Sequence, residues 1–147
     1  MRALVQRVSS SSVVVDDHTV GAIDKGLLVL LGVGQGDTEK DADYLLKKIS
    51  ELRIFEDEQG KMNLSVQDVG GSLLLVSQFT LYADTKKGRR PSFVGAASLE
   101  EGKRLYEYMV EEAKKLSIPI ATGEFQAHMM VSLTNDGPVT IWMDTAD

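Results

Sequence analysis

The sequence predicts a mixed α/β (α+β) fold: one domain over residues 1–147, with barrel-like or stacked β-sheets and two main helices on one side. Three features carry that expectation. Leu27 to Leu31 is an unbroken apolar run, the pattern of a strand buried on both faces. Two later segments, opening at Thr38 and Ser98, place their apolar residues at helical spacing instead. The last part of the chain returns to strand-like runs on either side of Asn135-Asp136-Gly137-Pro138-Val139-Thr140.

In chain order, Ala3 to Val8 leads through serines to Val13-Val14-Val15, and Asp16-Asp17-His18 marks a turn into a short strand at Thr19 to Ile23. The first helix starts near Thr38, where Thr38-Glu39-Lys40-Asp41 has the form of a capping box. Ala42, Leu45, Leu46, Ile49 and Leu52 make its apolar stripe. Asp57 to Lys61 is a polar turn around Gly60. Ser72 to Tyr82 reads as a second buried strand, entered from Gly70-Gly71. In such a strand Ser77, Phe79 and Leu81 share one face, Gln78 and Thr80 the other. The second helix is capped by Ser98, with Glu101 three residues on. Its stripe is Leu99, Leu105, Tyr106, Met109, Val110, Ala113 and Leu116, and Pro119 ends it. Two closing strands, the first carrying His128, surround a tight Gly-Pro turn.

Composition excludes several classes. Hydrophobic residues make up 43% and charged residues 26%, as in ordinary globular chains. No apolar run reaches the roughly 18 residues of a membrane span, and Met1 to Arg7 has no signal-peptide core. Without Cys there is no disulfide, thiolate metal site or thiol nucleophile, which is compatible with a reducing cytoplasm. A net charge of −6 argues against broad coating of nucleic acid. Lys86, Lys87, Arg89 and Arg90, gathered around Gly88, are the local exception: a solvated loop or an anion-binding patch.

Each chemical candidate competes with a plainer reading. Gly32-Val33-Gly34-Gln35-Gly36-Asp37 joins a strand to a helix, but a dinucleotide fingerprint needs Gly at the sixth position and Asp37 would repel a pyrophosphate there. His18 and His128 have no partner at metal-ligand spacing, so neither metal nor cofactor is expected. Ser77-Gln78-Phe79-Thr80 places polar groups on a buried strand, either as a satisfied hydrogen-bonded pair or as a site. A Ser or Thr nucleophile requires a base within reach, and no acid stands ready to orient either His. Phe125 and Met129 are core residues or the lining of an adaptable pocket. At Gly137-Pro138 the X–Pro bond is the common setting for a cis peptide, and Gly lets another molecule approach the backbone.

Ser77-Gln78-Phe79-Thr80-Leu81, followed much later by Asn135-x-Gly137-Pro138-Val139-Thr140, resembles the D-aminoacyl-tRNA deacylase family. Lys87-Gly88-Arg89-Arg90-Pro91-Ser92-Phe93 is similar to its basic loop, and Met1 to Val8 to its first strand. The resemblance spans essentially the whole chain. It implies a homodimeric cytoplasmic editing enzyme that hydrolyses the ester of D-aminoacyl-tRNA, and glycine mischarged on the tRNA for alanine (glycyl-tRNA). Ser77, Gln78, Phe79 and Thr80 would line the site, with Phe125, Met129 and Ala97 as neighbours. Gly137-Pro138 would enter the partner subunit's site in cis form and reject L residues, with Arg7 buttressing the turn. Lys86, Lys87, Arg89 and Arg90 would hold the tRNA end; membrane and DNA are not expected partners. Hydrolysis would be assisted by the 2′-hydroxyl of the terminal adenosine, with attack by Thr80 as the alternative. A non-catalytic RNA-binding module and a small-molecule hydrolase using Thr80 or Ser77 are the competing readings.

Overall fold

The computed structural model describes residues 1–147. The chain opens with β1 (Arg2–Val15), β2 (His18–Ile23) and β3 (Gly26–Gly32), followed by α1 (Glu39–Glu51). A small antiparallel hairpin of β4 (Phe55–Glu56) and β5 (Met62–Leu64) comes next. β6 (Ser72–Ser77), a 3-10 helix (Phe79–Tyr82), α2 (Leu99–Ala113), β7 (Ile120–Thr122) and β8 (Met130–Asp144) complete it.

The long strand β1 organises the main sheet. Its first part, Arg2 to Val8, pairs antiparallel with β3, and Ser11 to Val15 pairs antiparallel with β2. β8 runs antiparallel along β1 from Arg2↔Asp144 to Val14↔Met130. β6 lies parallel to β3, and β7 parallel to β6. The order is β2-β1-β3-β6-β7, with β8 also on β1. The two ends of this path curl toward each other: a Cβ at Gly21 of β2 would run into the Thr122 carbonyl of β7. Glycine there permits a nearly closed barrel. Asp16 and Asp17, at φ 47° and 65°, form the two-residue turn between β1 and β2.

The apolar run at Leu27 to Leu31 is buried on both faces, as its pattern predicts. Leu27, Val29 and Leu31 join Leu73 and Leu75 of β6 against Leu45, Ile49, Leu105 and Met109 of the helices. Leu28, Leu74 and Val76 turn the other way, onto Val8, Val13 and Ile23. Both helix starts are capped where expected. Asp41 Oδ2 accepts from the Thr38 N–H at 2.9 Å, and Ser98 Oγ accepts from the Glu101 N–H at 3.2 Å. The helices cover one side of the sheet and are tied together by Arg104 to Glu39 at 2.7 Å and the Tyr108 hydroxyl to Asp43 at 2.8 Å. The buried Tyr106 hydroxyl donates to the Leu75 carbonyl at 2.7 Å, and burial pushes its pKa up to about 12. No helix is long and apolar enough to cross a membrane.

The structure corrects four sequence expectations. β6 stops at Ser77, because beyond it there is little left to pair with: β3 ends at Gly32, and the β7 ladder ends at Leu75↔Thr122. The chain turns there into the 3-10 helix, so the alternating faces expected for Ser77 to Leu81 do not exist. α2 ends at Ala113, before Pro119, and the first and last members of its expected stripe, Leu99 and Leu116, lie outside the core. Phe125 to Met129 is a turn and loop, with Gln126 at φ 68°, so His128 is not on a strand. The Gly-Pro segment is not a hairpin between two strands. β8 is continuous, and residues 136–139 bulge from it between the pairs Val8↔Asn135 and Gln6↔Thr140, opposite Arg7.

Candidate active site

A cleft of about 460 Å³ opens between the end of β6, the 3-10 turn, the start of α2 and the loop before β8. It brings together Ser77, Gln78, Phe79, Ala97, Phe125 and Met129, which the sequence spreads over some fifty positions. Each wall has a local cause. β6 loses its ladder after Ser77 and delivers Gln78 and Phe79 to the rim. Phe79 is 54% exposed and meets Phe93 edge-on at 5.0 Å, linking the rim to the loop that follows. Phe125 packs against Tyr106 of α2, centroids 5.9 Å apart. Met129 is held back by Gly123, where a Cβ would lie 2.7 Å from its sulfur, and Sδ accepts from the Glu124 N–H at 3.4 Å.

Thr80 is outside the cleft lining, one step along the 3-10 turn, and exposed. Its hydroxyl oxygen accepts a hydrogen bond from the Gln78 side-chain amide. The polar pair therefore does meet, through the turn rather than across one face of a strand. A neutral amide is not a base, so this contact does not activate Thr80 as a nucleophile. The lining contains no Asp, Glu, Lys, Arg or Cys; His128 is its one titratable residue. Nor does any group of three or more His, Cys, Asp or Glu side chains gather to hold a metal.

The glycine-rich strand exit at Gly32 to Gly36 is committed elsewhere. Asp37 Oδ2 accepts from the Gly34 N–H at 2.6 Å, filling the place a phosphate would need. Gly34 also makes room for Tyr82, whose hydroxyl a Cβ there would approach to 2.6 Å. Burial, with the Asp37 and Asp144 carboxylates adding to it, pushes the Tyr82 phenol well above its ordinary range. The same exit anchors the return of the following loop through Ala97 N–H to the Val33 carbonyl at 2.9 Å and Gln35 N–H to the Gly95 carbonyl at 3.0 Å.

Lys86, Lys87, Arg89 and Arg90 project from the tip of that loop, all exposed. Its neck is closed by paired backbone hydrogen bonds between Asp84 and Ser92, at 2.7 and 2.9 Å. Gly88 supplies the turn at φ 65°. None of the four cations enters an ion pair.

Gly137 and Pro138 are absent from this chain's own cleft lining. They stand exposed on the β8 bulge, joined by a cis peptide bond. Arg7, 5% exposed, lies beneath them. Its Nε donates to the Asp136 carbonyl and its Nη1 to the Ile54 carbonyl, each at 2.7 Å. Glu56 and the Asp136 carboxylate are more distant, at 3.7 and 4.0 Å. Sequence reasoning misses Val33, Ser98, Leu99, Gly102, Gln126 and His128 as cleft residues. Leu99 carries a signal as an apolar residue on the first turn of a capped helix, which the helical period assigns to the core, and His128 as a lone titratable residue, which has no partner in the sequence pattern.

Residues 4–144 match the sequence model of the family described as D-Tyr-tRNA(Tyr) deacylase. A D-aminoacyl-tRNA deacylase of Clostridioides difficile (strain 630) is 61% identical over 99% of this chain and 98% of its own. One from Thermotoga petrophila is 58% identical over 99% of this chain and 98% of its own. Among solved structures, one titled c-Myc DNA Unwinding Element Binding Protein superposes with a TM-score of 0.93 at 42% identity, covering 99% of both chains. A probable eukaryotic D-amino acid tRNA deacylase gives 0.77 at 16% identity over 97% of each, a likeness of fold. On the match over nearly its whole length and on relatives at this identity, the chain belongs to the D-aminoacyl-tRNA deacylase family.

Proposed function

We propose that the chain works as a homodimeric hydrolase that removes D-amino acids from tRNA, and that each cleft is completed by the Gly137-Pro138 bulge of the partner subunit. The observation that carries this reading is a mismatch within one chain. A cleft stands open beside Ser77 to Thr80, and a braced, exposed bulge projects where its own cleft cannot use it. The dimer is supported by the exposure of β8, whose Met130, Leu133 and Trp142 are 62, 37 and 48% exposed. A long exposed strand with apolar side chains is a surface that a second copy would cover.

In the reaction, water adds to the ester carbonyl carbon, the bond to the ribose 3′ oxygen breaks, and that oxygen takes up a proton. The products are a free D-amino acid and tRNA. The lining holds no acid, Lys or Cys, its one titratable residue, His128, has no carboxylate in the lining to orient it, and Thr80 is bonded to an amide; this favours proton transfer through the 2′-hydroxyl of the terminal adenosine. The protein then contributes positioning and backbone dipoles. A rigid backbone wall near the substrate Cα rejects an L side chain by clash, while a D side chain points elsewhere. Glycine has no side chain to exclude, so glycyl-tRNA is also a substrate. The unpaired cations at 86–90 hold the RNA end by its phosphates, and Phe79 offers an apolar face at the rim. The DNA-binding name of one solved relative suggests DNA as another ligand. A net charge of −6 with a single basic loop suits one RNA end better than a duplex.

The test is single-turnover deacylation of D- and L-tyrosyl-tRNA side by side, with glycyl-tRNA for alanine as a third substrate. Release of D-tyrosine and glycine with L-tyrosyl-tRNA left intact supports the reading. Binding of all three without release would make the chain an RNA-binding module. For the 2′-hydroxyl route, near-total loss in Thr80→Ala together with full rate on a substrate ending in 2′-deoxyadenosine would transfer the chemistry to Thr80.

A further inference from the structure

The bulge that carries Gly137-Pro138 leaves residues 136–139 without strand partners, because β1 offers only Arg7 between Gln6↔Thr140 and Val8↔Asn135. Unpaired backbone groups need replacements. Arg7 satisfies the Asp136 carbonyl. At the other end, Asn135 Oδ1 accepts from the Val139 N–H at 2.7 Å, and its Nδ2 donates to the Val139 carbonyl at 3.1 Å and to Thr140 Oγ1 at 3.2 Å. Its side-chain amide thus presents one acceptor and one donor to one residue, as a neighbouring strand would. Val139, 8% exposed, is in turn anchored in the core.

We infer that Asn135 is a positioning residue for chiral selection: its amide closes the bulge and fixes where Gly137 and Pro138 project. This rests on the proposed role of the bulge in the partner's cleft. Only a primary amide of this length supplies both functions. Asp, nearly the same shape, accepts from the Val139 N–H but sets a second carboxylate oxygen against the Val139 carbonyl, where a donor is required. Thr140→Val removes one hydrogen bond and leaves the pair to Val139.

The experiment measures the ratio of D- to L-tyrosyl-tRNA deacylation for Asn135→Asp, Asn135→Ala and Thr140→Val, with Gly137→Val as reference. All are assayed well below their own unfolding midpoints. A purely structural residue would lower both rates together and leave the ratio alone. The expected result is a fall in the ratio of about tenfold for the two Asn135 variants, the scale of one hydrogen bond, and a smaller fall for Thr140→Val. If Asn135→Ala does not fold, the near-isosteric Asn135→Asp still decides. An unchanged ratio in the Asn135 variants, with a collapsed ratio in Gly137→Val, overturns the inference while the role of the bulge stands. An unchanged ratio in Gly137→Val as well overturns both.

Discussion

Replacing Arg7 by Ala removes the brace beneath the bulge, and the structure sets the scale of the loss. Two guanidinium hydrogen bonds disappear, to the Asp136 and Ile54 carbonyls. Bonds to a charged group contribute about 1.5–3 kcal/mol each, so the pair amounts to about 3–6 kcal/mol. The ion pairs to Glu56 and Asp136 add little, because both carboxylates are more than half exposed and no closer than 3.7 Å. Water can reach the Asp136 carbonyl at the exposed bulge once the side chain is gone, which places the expected loss near the lower end, about 3 kcal/mol. Arg7→Lys should recover part of this, because one ammonium can follow one carbonyl but not the fork that spans two. Urea unfolding at fixed protein concentration measures both variants. A loss below about 1 kcal/mol for Arg7→Ala, or a Lys variant equal to the parent, would refute the bracing argument.

Other consequences follow from the same geometry. Leu74→Ala, emptying a fully buried position between β-sheet walls, should cost about 2–5 kcal/mol in urea unfolding. Gly21→Ala drives a methyl group into the Thr122 carbonyl and should destabilise by at least about 1–3 kcal/mol, read as a lowered melting temperature. Charge reversal at Lys87 and Arg89 should raise KM for aminoacyl-tRNA and reduce the salt slope by about 0.7 for each phosphate no longer neutralised; an unchanged KM and slope would remove the loop from RNA binding. The hydrogen bond from the Thr38 N–H holds the Asp41 carboxyl below its ordinary value. Its contribution to stability is therefore present above pH about 4 and lost as pH falls through the lowered value. Asp41→Asn should lower stability at neutral pH and flatten the acid limb of a stability-against-pH profile, converging with the parent below the lowered value.

Much of the frame is legible in local pattern, and the exceptions share a cause. Leu27 to Leu31 announces a strand buried on both faces because every side chain is apolar. Thr38 and Ser98 announce helix starts because capping is an interaction between residues three apart. The end of β6 at Ser77 is not local: it depends on how far β3 and β7 extend beside it. The bulge at 136–139 depends on the register of β8 against β1, more than a hundred residues away in sequence. Leu99 obeys the helical period of its neighbours yet lines the cleft rather than the core, because the start of α2, with Ser98 and Gly102, forms one wall of that cleft. The residues of the candidate site are recognisable from two motifs together, but their convergence in one cleft, and the exclusion of Gly137-Pro138 from it, require the folded chain.

Mixing two disabled variants tests the shared cleft most directly. Gly137→Val disables the bulge, and Ala97→Phe fills the cleft with a bulky ring. In a mixed dimer, the open cleft of the first variant receives the intact bulge of the second. Unfolding the two together and refolding them as a mixture should restore D-selective release of tyrosine from D-tyrosyl-tRNA, although neither variant alone is selective and active. No recovery in a mixture shown to contain mixed dimers would contradict a cleft completed by the partner subunit.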